Sequence, residues 1–93
     1  MTGFGPGARP RLAPGARLRR DEVRGRTVVL VPEGALALNA TAAAVLELCD
    51  GTRTVAEIVA ALAERYTGGE IAADVEELLA RLAARRVVVD AGP

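Results

Sequence analysis

The chain is 93 residues long, the length of one small domain; 51% of it is apolar, and only 2% is aromatic, Phe4 and Tyr66 alone. It has no His, no Lys, no Ser and one thiol, Cys49. These absences exclude a Cys/His zinc set, a His-dependent triad, an internal disulfide and a lysine Schiff base.

The composition therefore makes an enzyme a poor expectation, and no catalytic residue, metal site or cofactor is expected. No apolar run approaches the ~20 residues of a membrane span, and the Gly/Pro/Arg-rich start does not resemble a signal peptide. A cytoplasmic protein with no membrane partner is expected. Formal charge is zero overall but uneven. Residues 1–26 hold seven Arg against Asp21 and Glu22, a balance of +5, and residues 27–93 carry −5.

In chain order, residues 1–14 are rich in Gly and Pro without an apolar period and read as a flexible lead-in whose last residues could dock. Arg17-Leu18-Arg19-Arg20 alternates once. After a turn at Gly25, Thr27-Val28-Val29-Leu30-Val31 is a β-branched run of strand length. Pro32-Glu33-Gly34 is a turn, and Ala35-Leu36-Ala37-Leu38 alternates small with large. Three short strands joined by tight turns make an antiparallel meander with an open edge.

From Asn39 the period becomes helical. Asn39 and Thr41 are both suitable N-caps, and Val45, Leu48 and Cys49 share a face with Leu46 beside it. The tripeptide Asn39-Ala40-Thr41 matches a glycosylation sequon, read here only as the start of a helix. Asp50-Gly51-Thr52 stops the first helix. Thr54-Val55-Ala56-Glu57 is a capping box opening a second, with Val55, Ile58, Val59, Leu62 and Tyr66 inward and Gly68-Gly69 closing it. A third helix spans about Ile71 to Arg85, with an apolar stripe of Ile71, Val75, Leu78, Leu79 and Leu82. Its acids lie early and its arginines late, complementing the dipole. Val87-Val88-Val89 reads as a last short strand or an extended tail. The fold class expected is α+β, winged helix-turn-helix-like, with a three-stranded antiparallel sheet followed by a three-helix bundle.

That outline also fits a nucleic-acid binder, but the charges oppose it. A groove-reading third helix presents Arg or Lys early, whereas this one presents Glu70, Asp74, Glu76 and Glu77. Cys49 reads as a buried structural thiol.

Several segments carry a resemblance. Pro10-Arg11-Leu12-Ala13-Pro14-Gly15-Ala16-Arg17-Leu18-Arg19, Val29-Leu30-Val31-Pro32-Glu33-Gly34 and Leu38-Asn39-Ala40-Thr41-Ala42 are similar to the pyrroloquinoline quinone biosynthesis protein D (PqqD) family. So is the core Val45-Leu46-Glu47-Leu48-Cys49-Asp50-Gly51-Thr52-Arg53-Thr54-Val55, continued by Glu57-Ile58-Val59, Asp74-Val75 and Leu78-Leu79. The resemblance covers about residues 10–89, and its specificity lies in the ordered set. One departure is the Arg85-Arg86 pair, where the family has a Gly or Lys-Gly turn.

The resemblance implies a peptide chaperone of pyrroloquinoline quinone (PQQ) biosynthesis. Such a protein binds the ribosomal precursor peptide PqqA and presents it to the radical SAM enzyme PqqE. It also implies that the peptide adds as a strand to the open sheet edge and lies against the third helix. On that basis the domain is residues 15–90, with 91–93 a tail. The peptide-binding candidates are Ala35, Leu36, Ala37, Leu38, Asp74, Val75, Leu78, Arg81, Leu82 and Arg85. Arg17, Arg19 and Arg20 are the candidates for docking a partner. Recognition of another modified peptide's leader is the alternative, and the Arg-Leu-Arg and Pro-Glu features favour the quinone pathway. An open edge also permits a homodimer by edge-to-edge pairing.

Overall fold

The computed structural model describes residues 4–66 and 70–92. The elements run β1 (Pro10–Leu12), β2 (Arg17–Asp21), β3 (Arg26–Val31), β4 (Gly34–Ala37), α1 (Ala40–Glu47), α2 (Val55–Ala63), α3 (Ile71–Ala84) and β5 (Val88–Asp90). Strands β2, β3 and β4 form the expected antiparallel meander in that order. The β-branched β3 is central, and Pro32 lies in the β3–β4 connection, where its missing N–H costs no ladder bond. One sheet row, Leu18–Val29–Leu36, faces the helices, with Val29 fully buried.

The helices start as the sequence predicts. The Asn39 side chain accepts from the Ala42 amide at 2.8 Å, which identifies the first cap as Asn39 rather than Thr41. Thr54 and Glu57 complete the capping box reciprocally, at 3.1 and 2.8 Å. Ala42, Ala43 and Ala44 are small enough to bring α1 close over β3, and Val45, Leu46, Ile58, Leu62, Val75 and Leu79 fill the core. Helix α2 ends at Ala63, and Tyr66 packs half-buried against the core beyond it. The Gly68-Gly69 stop lies outside the described residues.

The lead-in over residues 1–14 is docked further than a flexible segment would be, and strand structure begins at Pro10 rather than after residue 14. Its residues Pro10–Leu12 are β1, paired antiparallel with β5 in a separate two-stranded sheet, and Pro10 is fully buried. The physical cause is α2. A helix leaves its first amide groups without partners, and here the Val55 and Ala56 amides donate to the carbonyls of Ala8 and Pro6 at 2.9 and 3.1 Å. Gly51 donates to the Pro10 carbonyl at 3.0 Å. Gly51 itself has φ +84°, and a Cβ there would meet Ala91 at 3.3 Å. The Asp50-Gly51 turn thus needs glycine both for its conformation and for the closeness of the terminal sheet.

The last strand is Val88–Asp90, one residue later than the Val87–Val89 run. It is reached through Arg86, which has φ +62°. The Val87 amide donates to Leu82 at 2.8 Å and the Arg86 amide to Ala83 at 3.0 Å. This is a Schellman ending with arginine where glycine is usual, held by the buried pair Val87 and Leu82. Among the described residues, no helix is long and apolar enough to cross a membrane.

Candidate functional site: an open strand edge beside the third helix

Strand β4 is an edge strand, since the sheet order places only β3 beside it. The Leu38 amide donates to the Thr27 carbonyl at 3.0 Å, in register with the pairs Val28↔Ala37 and Val29↔Leu36. Antiparallel pairing alternates bonded and unbonded residues along a strand. Leu36 and Leu38 therefore turn their backbone groups toward β3, while Ala35 and Ala37 turn theirs to the free edge. That edge offers two donors and two acceptors.

A groove of about 710 Å³ runs between this strand and α3. Its sheet side is Leu36, Ala37 and Leu38, and its helix side is Asp74, Leu78, Arg81, Leu82 and Arg85. Spacings of 3, 4, 7, 8 and 11 residues put these helical residues on one face. Leu38 and Leu82 are buried in its floor, Leu36 and Leu78 are half-buried in its walls, and Asp74, Arg81 and Arg85 are exposed along its rim. Among the described residues the ion pairs are Arg53–Asp50 at 2.9 Å and Arg24–Asp21 at 4.0 Å. The groove charges therefore have no partner within the described part of the chain. Acid stands toward the start of α3 and base toward its end, so the rim carries both signs.

Eight of the ten peptide-binding candidates meet in this groove, and two do not. Val75 is 1% exposed and packs in the core with Leu79, one helical step round from Asp74. Ala35 lies outside the groove, exposed on the opposite face of the sheet, and contributes backbone at the edge instead. Asn39, Thr41 and Ala42 also line the groove. In the sequence Asn39 and Thr41 carry only the signature of helix caps. The signal available was distance, because α1 starts two residues after Leu38 and its first turn must lie beside the strand end.

The three arginines of β2 are split by the pleat. Arg20 shares the helix-side face with Leu18 and borders a hollow of about 290 Å³ with Arg26, Glu47, Arg65 and Tyr66. The Arg65 guanidinium lies 5.8 Å from the Tyr66 ring centre. Arg17 and Arg19 point to the other side of the sheet.

Two further features bear on chemistry. Cys49 is buried and donates to the Val45 carbonyl at 3.2 Å. Burial, with the neighbouring Asp50 carboxylate, pushes its pKa up to about 12, so it is no thiolate at neutral pH. Among the described residues, no group of three or more His, Cys, Asp or Glu could hold a metal ion.

The fold and the site together define a small winged-helix-like α+β domain with a strand edge open beside a helix-lined groove. The family model described as Coenzyme PQQ synthesis protein D (PqqD) matches residues 26–88. The chain is 46% identical over 86 residues to the PqqA binding protein of Rhodopseudomonas palustris (strain TIE-1), covering 90% of this chain and 84% of that one. It is also 44% identical over 89 residues to the bifunctional coenzyme PQQ synthesis protein C/D of Methylorubrum extorquens, covering 94% of this chain and 24% of the larger protein. The solution structure of the PqqD truncation of Methylobacterium extorquens PqqCD, described as a functional, stand-alone recognition element for ribosomally synthesised, post-translationally modified peptides, superposes with a TM-score of 0.81. That match has 43% identity and covers 95% of this chain and 96% of that one. This chain belongs to the PqqD family.

Proposed function

We propose that this chain is a cytoplasmic, non-catalytic peptide chaperone of PQQ biosynthesis, which binds the precursor peptide PqqA by strand addition to β4 and presents it to the radical SAM enzyme PqqE. The observation that carries the reading is the pairing of two features at one place. The outward backbone groups of Ala35 and Ala37 stand beside a groove lined by Leu36, Leu38, Leu78 and Leu82 and rimmed by Asp74, Arg81 and Arg85. Main-chain bonds supply affinity in such a site and the pockets supply selection. The relatives carrying the name PqqA binding protein supply the choice of peptide.

Arg17, Arg19 and Arg20 are the arginines assigned to meeting the enzyme; Arg17 and Arg19 share the sheet face away from the helices, and Arg20 lies on the other. Calorimetry of the chain with synthetic PqqA tests the reading. Saturable one-to-one binding that survives addition of high salt is expected, because backbone pairing and apolar burial are screened little. Absence of binding would reject it.

A further inference from the structure

The meander has a face that the helices leave uncovered. With Leu18, Val29 and Leu36 turned inward, the rows Arg17–Leu30–Ala35 and Arg19–Val28–Ala37 point outward. Val28 and Leu30 are half-buried at the centre of that face, with Arg17, Arg19, Ala35 and Ala37 exposed around them. Neither Val28 nor Leu30 packs against the core cluster, so each keeps part of its apolar surface open on this face. The solvated face of an antiparallel sheet is ordinarily polar.

Charge marks the same face. Among the described residues, Arg17 and Arg19 have no carboxylate within ion-pair distance. Asp21, the acid at the end of β2, is engaged by the Val23 and Arg24 amides of its own hairpin and by the Arg24 side chain. A basic rim around two aliphatic residues thus stands on a protein whose remainder, residues 27–93, carries −5.

We propose that this outer face is the docking surface for a protein partner presenting carboxylates around an apolar centre, and that a bound peptide strand completes it. The proposal rests on the strand-addition reading above. A strand added to β4 alternates its side chains as its neighbours do. One set enters the groove against α3, and the other extends the outer face beyond Ala35 and Ala37. A partner seated over Val28 and Leu30 then touches protein and peptide together. It binds the loaded chain more tightly than the free one, and by linkage it tightens the peptide by the same factor.

The test titrates the radical SAM enzyme against the full chain with and without synthetic precursor peptide, using Leu30→Glu and, separately, the double variant Arg17→Ser/Arg19→Ser. Enzyme affinity should fall about tenfold or more for Leu30→Glu, which sets a carboxylate against carboxylates. The arginine variant should associate more slowly and with a flatter salt dependence. Peptide affinity measured without enzyme should stay within about twofold of wild type for both, because neither site lies in the groove. If Leu30→Glu does not fold, the arginine pair decides. A wild-type chain that does not bind the peptide overturns the strand-addition reading, and with it the completed surface. Normal peptide binding with wild-type enzyme affinity in the variants overturns the docking face alone.

Discussion

The Leu38 amide meets the Thr27 carbonyl at 3.0 Å, and that bond turns the backbone of the preceding residue, Ala37, out toward solvent. Replacing Ala37 with Pro removes the outward donor and places a ring in the edge, leaving the β3-facing bonds of Leu36 and Leu38 intact. Peptide affinity should fall about a hundredfold or more, with the helical circular dichroism unchanged. Arg81→Glu should cost less, about three- to tenfold, because Arg81 is an exposed rim charge. Wild-type peptide affinity in a folded Ala37→Pro protein would place the binding site elsewhere.

Val75 and Leu78 lie three residues apart on α3 but face different neighbours. Val75→Ala opens a cavity among buried residues and should lower stability by about 1–3 kcal/mol without changing the peptide Kd. Leu78→Ala removes half of a groove wall and should weaken the peptide with a smaller loss in denaturation midpoint. Paired urea melts and calorimetry separate the two effects, and a Val75→Ala protein that melts normally but binds poorly would reverse the assignment.

Arg86 holds a left-handed conformation at φ +62°, a position that disfavours any side chain with a Cβ. Arg86→Gly relieves that strain and keeps the two Schellman bonds. It should stabilise the protein by about 0.5–1 kcal/mol after the added chain entropy of glycine is subtracted. A lower urea midpoint for Arg86→Gly would show that the arginine side chain contributes a contact worth more than the strain.

Three exposed carboxylates are held below the ordinary carboxylate range by hydrogen bonds. Asp50 accepts from the Thr52 hydroxyl and amide, with Arg53 adding to the effect. Asp90 accepts from the Gly92 and Arg9 amides, and Glu57 from the Thr54 amide. A pKa lowered on folding means that the unfolded chain binds more protons, so stability rises with pH through this range. The contribution is complete above about pH 5 and is lost as pH falls through the unfolded values near 4 toward the lower folded ones. The melting temperature should therefore drop below about pH 5. A triple Asp50→Asn/Glu57→Gln/Asp90→Asn variant should start lower at neutral pH and show a flatter acid limb. Parallel curves for the two proteins would remove these groups from the acid response.

The helices and the central sheet were legible in the sequence because their causes are local. The Thr54/Glu57 box, the Asn39 cap, the β-branched run of β3 and the Pro32-Glu33 turn each act within a few residues. The helical period likewise collects Asp74, Leu78, Arg81, Leu82 and Arg85 on one face without any knowledge of the rest of the fold.

Tertiary structure decided what distant segments share. The β1–β5 sheet joins Pro10 to Asp90, and three residues containing a proline carry too little pattern to announce a strand. Only the unpartnered first amides of α2, drawn to the carbonyls of Pro6 and Ala8, show why that segment is ordered. The pleat alone separates Arg17 and Arg19 from Arg20, but which of the two faces the helices cover was decided only by the packing of Leu18, Val29 and Leu36 against the core. Burial of Val75 rather than its exposure to the groove needed the position of α3 against α2 and the core. A helix's own periodicity defines its faces, but only the neighbours it packs against determine which face meets solvent.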